Sequence, residues 1–273
     1  MAQENELRKL QLAELKIMDL FTEICQQNGL QYFLMGGTFL GAVRHKGFIP
    51  WDDDIDVGMP REDYDRFCDV VDEALPEGYV FRNFLKGNES TIYYSRIEDT
   101  SFLINDNSAR IKRTRYAWID VFPLDGMPNN ALIRNIHKFV LLYRKLALQY
   151  SNFSTVVNQD LPGRKGLEKF LIQVGNTIQP ERFFDTQKCL DRMDKTLKRY
   201  KYSDSTYVVN FLGAYKFREM FPREIYENIA DYEFEGKLYT APKDYDTVLT
   251  QMYGDYMTPP ADMDKYKHHI DVN

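Results

Sequence analysis

The chain has 273 residues, 44% of them hydrophobic, and a net charge of −6. That length and apolar share suit a folded chain with a sizeable core and argue against wholesale disorder, while the acidic balance argues against nucleic-acid binding through a basic surface. Three widely spaced cysteines, Cys25, Cys68 and Cys189, form no C-x-x-C pair, which argues against a disulfide scaffold or a cysteine zinc site and suits a reducing cytoplasm.

The first residues, Met1 to Glu6, are polar and acidic and do not read as a signal peptide. No window holds the ~18 uninterrupted apolar residues of a spanning helix, so the expectation is a cytoplasmic protein, soluble or peripheral on the inner membrane face. Residues 3–28 predict a helix, because Leu7, Leu10, Leu15, Met18, Phe21, Ile24 and Cys25 recur at helical spacing. Asn28-Gly29 stops it. Residues 30–35 predict a strand, residues 38–43 a short helix, and residues 45–51 a loop. Residues 54–58 predict a second strand and 61–75 a second helix. Further strands are expected at 79–84, 92–97 and 117–122. Gly126 to Asn130 is a break. Beyond it, residues 131–150 and 165–200 predict helices, and strand signals thin out until 207–211. The expected fold is α+β: a catalytic core over 1–125, then a mostly helical region over 126–273 packed on it as one compact unit.

Three segments carry the chemistry. Gly36-Gly37-Thr38 joins a strand to a helix. Glycines let backbone N–H groups approach a phosphate, the helix N-terminus adds a positive dipole end, and the Thr38 hydroxyl can donate as well. A simple tight turn is the alternative. The second segment is Asp52-Asp53-Asp54-Ile55-Asp56-Val57. On a strand, Asp52, Asp54 and Asp56 share one face, and Ile55 and Val57 take the other. Carboxylates so close repel unless they are fully solvated or a cation neutralises them. An EF-hand calcium loop fits less well, because Val57 stands where its glycine belongs and Asp63 where its glutamate belongs. The third segment is Trp118-Ile119-Asp120-Val121-Phe122-Pro123-Leu124-Asp125. It sets Asp120 inside an apolar strand, where an unpaired carboxylate is costly. Asp125 suits a turn cap better.

The order Gly-Gly-Thr, Asp-x-Asp, then a later strand aspartate resembles the nucleotidyltransferase superfamily. The run from Gly36 to Val57 and the run from Ile119 to Gly126 resemble the LicD family, the group that includes fukutin-related proteins. Phe234-Glu235-Gly236, Ala241-Pro242 and Tyr253 to Met257 are similar to that family's C-terminal pattern. The resemblance covers most of 30–260, with little to match over 131–230. It implies a nucleotidyltransferase-like mixed sheet with flanking helices. It also implies metal-dependent transfer of phosphocholine from CDP-choline, or of another phospho-alcohol from its CDP form, to a sugar hydroxyl, releasing CMP. The acceptor implied is a lipid-linked glycan precursor of teichoic-acid or lipopolysaccharide type.

On that resemblance Asp54, Asp56 and Asp120 are the catalytic residues and the ligands of Mg2+ or Mn2+, with Asp52 as a further ligand candidate. Two-metal logic places Asp120 to help remove the acceptor proton. Gly36, Gly37 and Thr38 are expected to hold the donor diphosphate. Arg44, His45 and Lys46 are candidates for donor-phosphate contacts, or else a solvated loop. Trp51, Tyr93, Tyr94, Trp118, Tyr253 and Tyr256 are candidates for contacting choline by cation–π attraction. Transfer of phosphoribitol, phosphoglycerol or a nucleotidyl group by the same fold, and a metal-binding scaffold without catalysis, stay open as alternatives.

Two weaker signals remain. Residues 131–175 hold seven Lys or Arg against two acids. That basic amphipathic stretch reads either as a membrane-surface helix or as a core-facing helix with a basic outer side. His268-His269 is either tail or a minor metal site.

Overall fold

The computed structural model describes residues 2–86, 93–106, 113–151, 166, 173, 184–259 and 270–272. In chain order the elements begin α1 (Ala2–Asn28), β1 (Phe33–Leu34), α2 (Gly36–His45), β2 (Ile55–Pro60), α3 (Arg61–Ala74) and β3 (Tyr79–Arg82). They continue with β4 (Ser95–Asp106), β5 (Arg113–Met127), α4 (Ala131–Ser151), α5 (Thr186–Leu197), β6 (Tyr207–Val209), β7 (Met220–Pro222) and α6 (Glu224–Glu227). The last are β8 (Ile229–Phe234), β9 (Lys237–Pro242), α7 (Tyr245–Tyr253) and β10 (Ile270–Val272).

The central sheet runs β1-β2-β5-β4-β10, with β3 also on β4 and β6 joining β5 to β7. β2 and β5 are parallel and the other pairs antiparallel. This mixed sheet with helices against it is the expected α+β fold. α1 buries Leu10, Ala13, Ile17, Met18, Phe21, Ile24 and Cys25 against β4 and β5. Leu10, Met18, Phe21, Ile24 and Cys25 are among the residues whose spacing predicted the helix, Ala13 and Ile17 join them, and Leu7 and Leu15 are only half-buried; complete burial of a side chain the size of Phe21 stabilises by about 1.5–3 kcal/mol. Apolar side chains of β2 and β5 interleave beneath it, with Ile55, Val57, Ile119 and Val121 all fully buried.

The strand signals were weakest beyond residue 126, yet β7, the β8–β9 hairpin and β10 all lie there. They are short or two-residue-alternating pieces beside turn residues, such as the Glu235-Gly236 turn with φ of 51° and 77°. A boundary at residue 125 falls inside β5, which runs on to Met127 and pairs there with β6. One buried cluster contains side chains from Leu10 through to Tyr256, so both parts of the chain share a core. Most of 165–183 and His268-His269 lie outside the described residues.

α4 differs from both readings of its sequence. Arg134 lies over the Tyr207 ring at 4.4 Å, Lys138 over Phe217 at 5.4 Å and Lys145 over Phe211 at 5.4 Å. The cations therefore pack inward on aromatic faces. Leu132, Ile136, Phe139, Tyr143 and Leu146 are exposed, Phe139 by 73%. The outer side of the helix is apolar rather than basic.

Candidate active site

The site is assembled by sheet register. In the parallel β2–β5 ladder Asp56 lies directly opposite Asp120, and in the antiparallel β4–β5 ladder Asp120 lies opposite Arg96. Residues opposite one another in register point to the same face, so Asp56, Asp120 and Arg96 form a row across three strands. Carboxylate oxygens of Asp54, Asp56 and Asp120 come within 4.8 Å of one another, and so do those of Asp52, Asp53 and Asp54. Residues 52–54 precede the strand, which starts at Ile55. Two-residue alternation therefore does not govern Asp52 and Asp53, and Asp53 joins the cluster although the pattern assigned it to the other face.

The glycines make room for this cluster. Gly36 adopts φ +55°, and a Cβ there would lie 2.5 Å from Asp56 Oδ2; a Cβ on Gly37 would lie 2.5 Å from Asp52 Oδ2. No side chain caps α2 at Met35, and carboxylates beside a helix N-terminus are favoured by its dipole. Thr38 is buried. Its Oγ1 accepts a hydrogen bond from the Asp56 backbone N–H at 2.8 Å, which ties the start of α2 to β2. Gln11 on α1 donates to the Asp52 carbonyl at 3.0 Å.

These groups open on a cavity of about 740 Å³. Gly36, Gly37, Arg44, Asp52, Asp54 and Asp56 line one side. Of the basic loop only Arg44 reaches it, anchored by Nη1 donating to the Tyr256 carbonyl at 2.7 Å. His45 is exposed and its Nε2 accepts from Arg44 Nε at 2.9 Å. Lys46 ends α2 in the left-handed region with φ 56° and pairs with Glu233 at 3.2 Å. His45 and Lys46 are thus corrected out of the cavity wall.

Asp120 is 4% exposed and lies behind the lining. Both of its oxygens are engaged by Arg96, Nε to Oδ1 at 2.5 Å and Nη2 to Oδ2 at 3.0 Å. Arg96 thus takes one lone pair on each oxygen of the residue expected to help remove the acceptor proton. Burial pushes its carboxyl up and the Arg96 guanidinium offsets part of that. Burial, then repulsion from neighbouring carboxylates, holds Asp54 and Asp56 well above the usual range, and Asp52 is pushed up to about 7. Behind them Glu14 of α1 is fully buried, and both its oxygens are without a hydrogen-bond partner among the described residues. Burial first, then Asp54, Asp53 and Asp52, raise its pKa. Such an array is repulsive as it stands and suits a cation.

The donor set fits one: Asp52, Asp54 and Asp56 present hard oxygen ligands at the cavity, and hard divalent ions take carboxylates. Asp120 would have to share an oxygen with Arg96. Asp125 is no turn cap; Arg61 holds it in a buried bidentate pair at 2.6 and 2.8 Å.

The opposite wall comes from the later chain: Asn210, Gly213, Ala214, Tyr215, Arg218, Glu219, Tyr253, Asp255 and Tyr256. Of the ring candidates, Trp51, Tyr253 and Tyr256 line the cavity. Tyr93 instead bonds Arg61 and Asp194, Tyr94 packs on Phe122, and Trp118 is buried with Arg96 and Arg115 over its ring. Arg96, Asp53, Asn210, Tyr215 and Glu219 were not singled out from sequence. Only the Tyr253 to Met257 pattern pointed at this wall.

An α+β sheet carrying paired aspartates on neighbouring parallel strands, beside a glycine-led helix, defines a nucleotidyltransferase-type transferase domain. Residues 29–144 match the family described as LicD/FKTN/FKRP, nucleotidyltransferase domain. The chain is 32% identical over 275 residues to the lipopolysaccharide cholinephosphotransferase LicD of Haemophilus influenzae, covering 97% of this chain and 96% of that protein. It is 36% identical over 81 residues to the ribitol 5-phosphate transferase FKRP of Mus musculus and of Homo sapiens, covering 26% of this chain and 16% of theirs. The chain belongs to the LicD family of transferases.

Proposed function

We propose that the chain transfers phosphocholine from CDP-choline to a sugar hydroxyl of a lipid-linked glycan precursor of lipopolysaccharide or teichoic-acid type. The observation that carries this is the convergence of Asp52, Asp54 and Asp56 with Gly36 and Gly37 on one cavity. Similarity to the Haemophilus cholinephosphotransferase over nearly the whole chain supports it. The acceptor oxygen attacks the phosphorus that bears choline, the bond from that phosphorus to the CMP oxygen breaks, and the acceptor proton passes to solvent or base. The α2 N-terminus and Arg44 favour the negative charge of the diphosphate. Asp54 and Asp56, with Asp52 and Asp120, would hold magnesium or manganese; when bound, the ion neutralises charge on the diphosphate and lowers the pKa of the acceptor hydroxyl.

The test is incubation with CDP-choline, CDP-ribitol and CDP-glycerol, each with magnesium or manganese, and mass detection of CMP and product. A product carrying CMP would move the enzyme to nucleotidyl transfer. Preference for CDP-ribitol, the direction suggested by the shorter match to the ribitol 5-phosphate transferases, would overturn the choline assignment alone.

A lipid-linked acceptor requires approach to a bilayer. Among the described residues no helix is long and apolar enough to cross one. The exposed Leu132, Ile136, Phe139, Tyr143 and Leu146 of α4 support peripheral contact through apolar insertion rather than through charge.

A further inference from the structure

The wall facing the acidic cluster contains a carboxylate with no assigned work. Glu219 lines the cavity yet is only 3% exposed. Its Oε2 accepts a hydrogen bond from Asn210 Nδ2 at 2.7 Å, and its Oε1 accepts one from the Tyr215 backbone N–H at 3.1 Å. Asn210 is itself fixed, because its Oδ1 accepts from the Gly213 N–H at 3.1 Å. A Cβ on Gly213 would fall 2.3 Å from Glu219 Oε1, so the turn is built to let the carboxylate sit where it does. The donors that orient it are neutral. Among the described residues no Lys or Arg forms an ion pair with it; Lys145 acts on it only at longer range. Burying a carboxylate without a charged partner is expensive. Burial pushes its carboxyl up to about 7 against the two hydrogen bonds and Lys145, which pull it down.

Aromatic rings stand beside it. Tyr215 and Tyr253 both line the cavity and meet edge to face, with centroids 5.3 Å apart. Tyr253, Glu219, Asp52 and Asp56 all line this one cavity. The cavity thus has a phosphate side, at Gly36 and Gly37, and a side that carries the Tyr215 and Tyr253 rings and the buried Glu219 carboxyl, with the exposed Arg218 and Asp255 at the same wall.

A quaternary ammonium carries a positive charge and no N–H groups. It gains nothing from free acceptor lone pairs, and takes instead a nearby negative charge and aromatic faces. A carboxylate whose hydrogen bonds are already supplied by the protein, next to two rings, has that chemistry. A polyol gains most from side chains free to hydrogen-bond, and here each Glu219 oxygen already accepts one bond, from Asn210 or from the Tyr215 N–H. We propose that Glu219, with Tyr215 and Tyr253, recognises the trimethylammonium end of the donor and so selects choline over polyol donors. This rests on the phosphocholine reading above.

The experiment is titration calorimetry of CDP-choline, CDP-glycerol and CMP against the wild type, Glu219→Gln and Tyr253→Leu, with turnover measured alongside. Glu219→Gln preserves shape and removes the charge. In the wild type CDP-choline should bind more tightly than CDP-glycerol. Each variant should lose roughly tenfold in affinity for CDP-choline and stay within about twofold for CDP-glycerol and CMP. If the wild type does not prefer CDP-choline, the phosphocholine reading falls and this inference with it. If the wild type prefers it and both variants keep the preference, the inference alone is overturned. A drop in kcat with every donor at unchanged affinity would also overturn it, because Glu219 would then act on the reaction and not on the alcohol. Should Glu219→Gln fail to fold, Tyr253→Leu and Tyr215→Leu carry the same comparison.

Discussion

Arg96 and Asp120 face each other across β4 and β5 and form a bidentate ion pair, at 2.5 and 3.0 Å, inside the sheet. The same Asp120 lies opposite Asp56 on its other side. One arginine therefore stabilises the rearmost member of a repulsive row of acids. Its guanidinium also lies 4.9 Å from the Trp118 ring, which fixes it further.

Arg96→Ala leaves Asp120 buried without its partner. Breaking one side of a buried pair costs about 3–5 kcal/mol. Urea unfolding in cation-free buffer should show a loss of that size, and added manganese should restore part of it. A loss under about 1 kcal/mol would mean that Asp120 is already neutral and the pair contributes little.

Asp54→Ala and Asp56→Ala should abolish turnover while the fold survives. Each removes one charge from a cluster in which burial and repulsion already disfavour the ionised forms. Thermal unfolding without divalent cation should occur at the wild-type temperature or above it. Near wild-type activity in either variant at limiting magnesium would show that these are not the ligands.

Gly36→Ala should stop activity by a different route. The residue sits at φ +55°, and its Cβ would meet Asp56 Oδ2 at 2.5 Å. Backbone strain of this kind costs about 1–3 kcal/mol, and Asp56 must move aside. Manganese affinity, read by calorimetry, should fall together with turnover; unchanged affinity would break the proposed link between this glycine and the acid row.

His137 of α4 is buried, and its Nε2 has no hydrogen-bond partner among the described residues. Burial, then Arg199, lowers its pKa to about 4. A depressed histidine pKa means that the unfolded chain binds the extra proton between about pH 6.5 and 4, so this contribution is complete above 6.5 and is lost as pH falls. Asp52 and Glu219, with raised pKa values, act in the opposite direction over part of this range, so the comparison must be between proteins. From about pH 7.5 to about pH 5 the wild type should lose roughly 2 kcal/mol more than His137→Gln, measured by urea unfolding at each pH. Equal losses would place the histidine in a solvated setting.

Phe139→Asp, with Leu132→Asp, should weaken binding to vesicles through loss of the apolar face of α4. Lys138→Glu should do little, because Lys138 packs on Phe217. Added salt should likewise change binding only modestly. Strong salt sensitivity would instead indicate a charge-driven contact.

The local patterns were legible in the sequence because they are short-range. Helical spacing marked α1, apolar alternation marked β2, and Gly36-Gly37 followed by Asp54-x-Asp56 marked the phosphate side of the site. These depend on neighbours within a few residues, where turn chemistry and periodicity act. The apolar strand around Asp120 was equally plain, since a lone acid among Trp118, Ile119, Val121 and Phe122 needs a reason to be there.

What the tertiary structure decided is who meets whom. Arg96 reads as one more charge on an amphipathic strand until antiparallel register sets it opposite Asp120. Glu219 reads as an ordinary surface acid among Lys216 and Arg218. Only the tertiary fold brings it into the lining of the cavity that Asp52, Asp54 and Asp56 share, more than 160 positions earlier in the chain. Likewise the amphipathic pattern of α4 cannot say which side is buried, since the stems of Lys138 and Lys145 lie over rings as well as Leu or Ile would. Side-chain type and spacing set the elements of this protein; register and long-range packing set the polarity of its helix face and the opposite wall of its cavity.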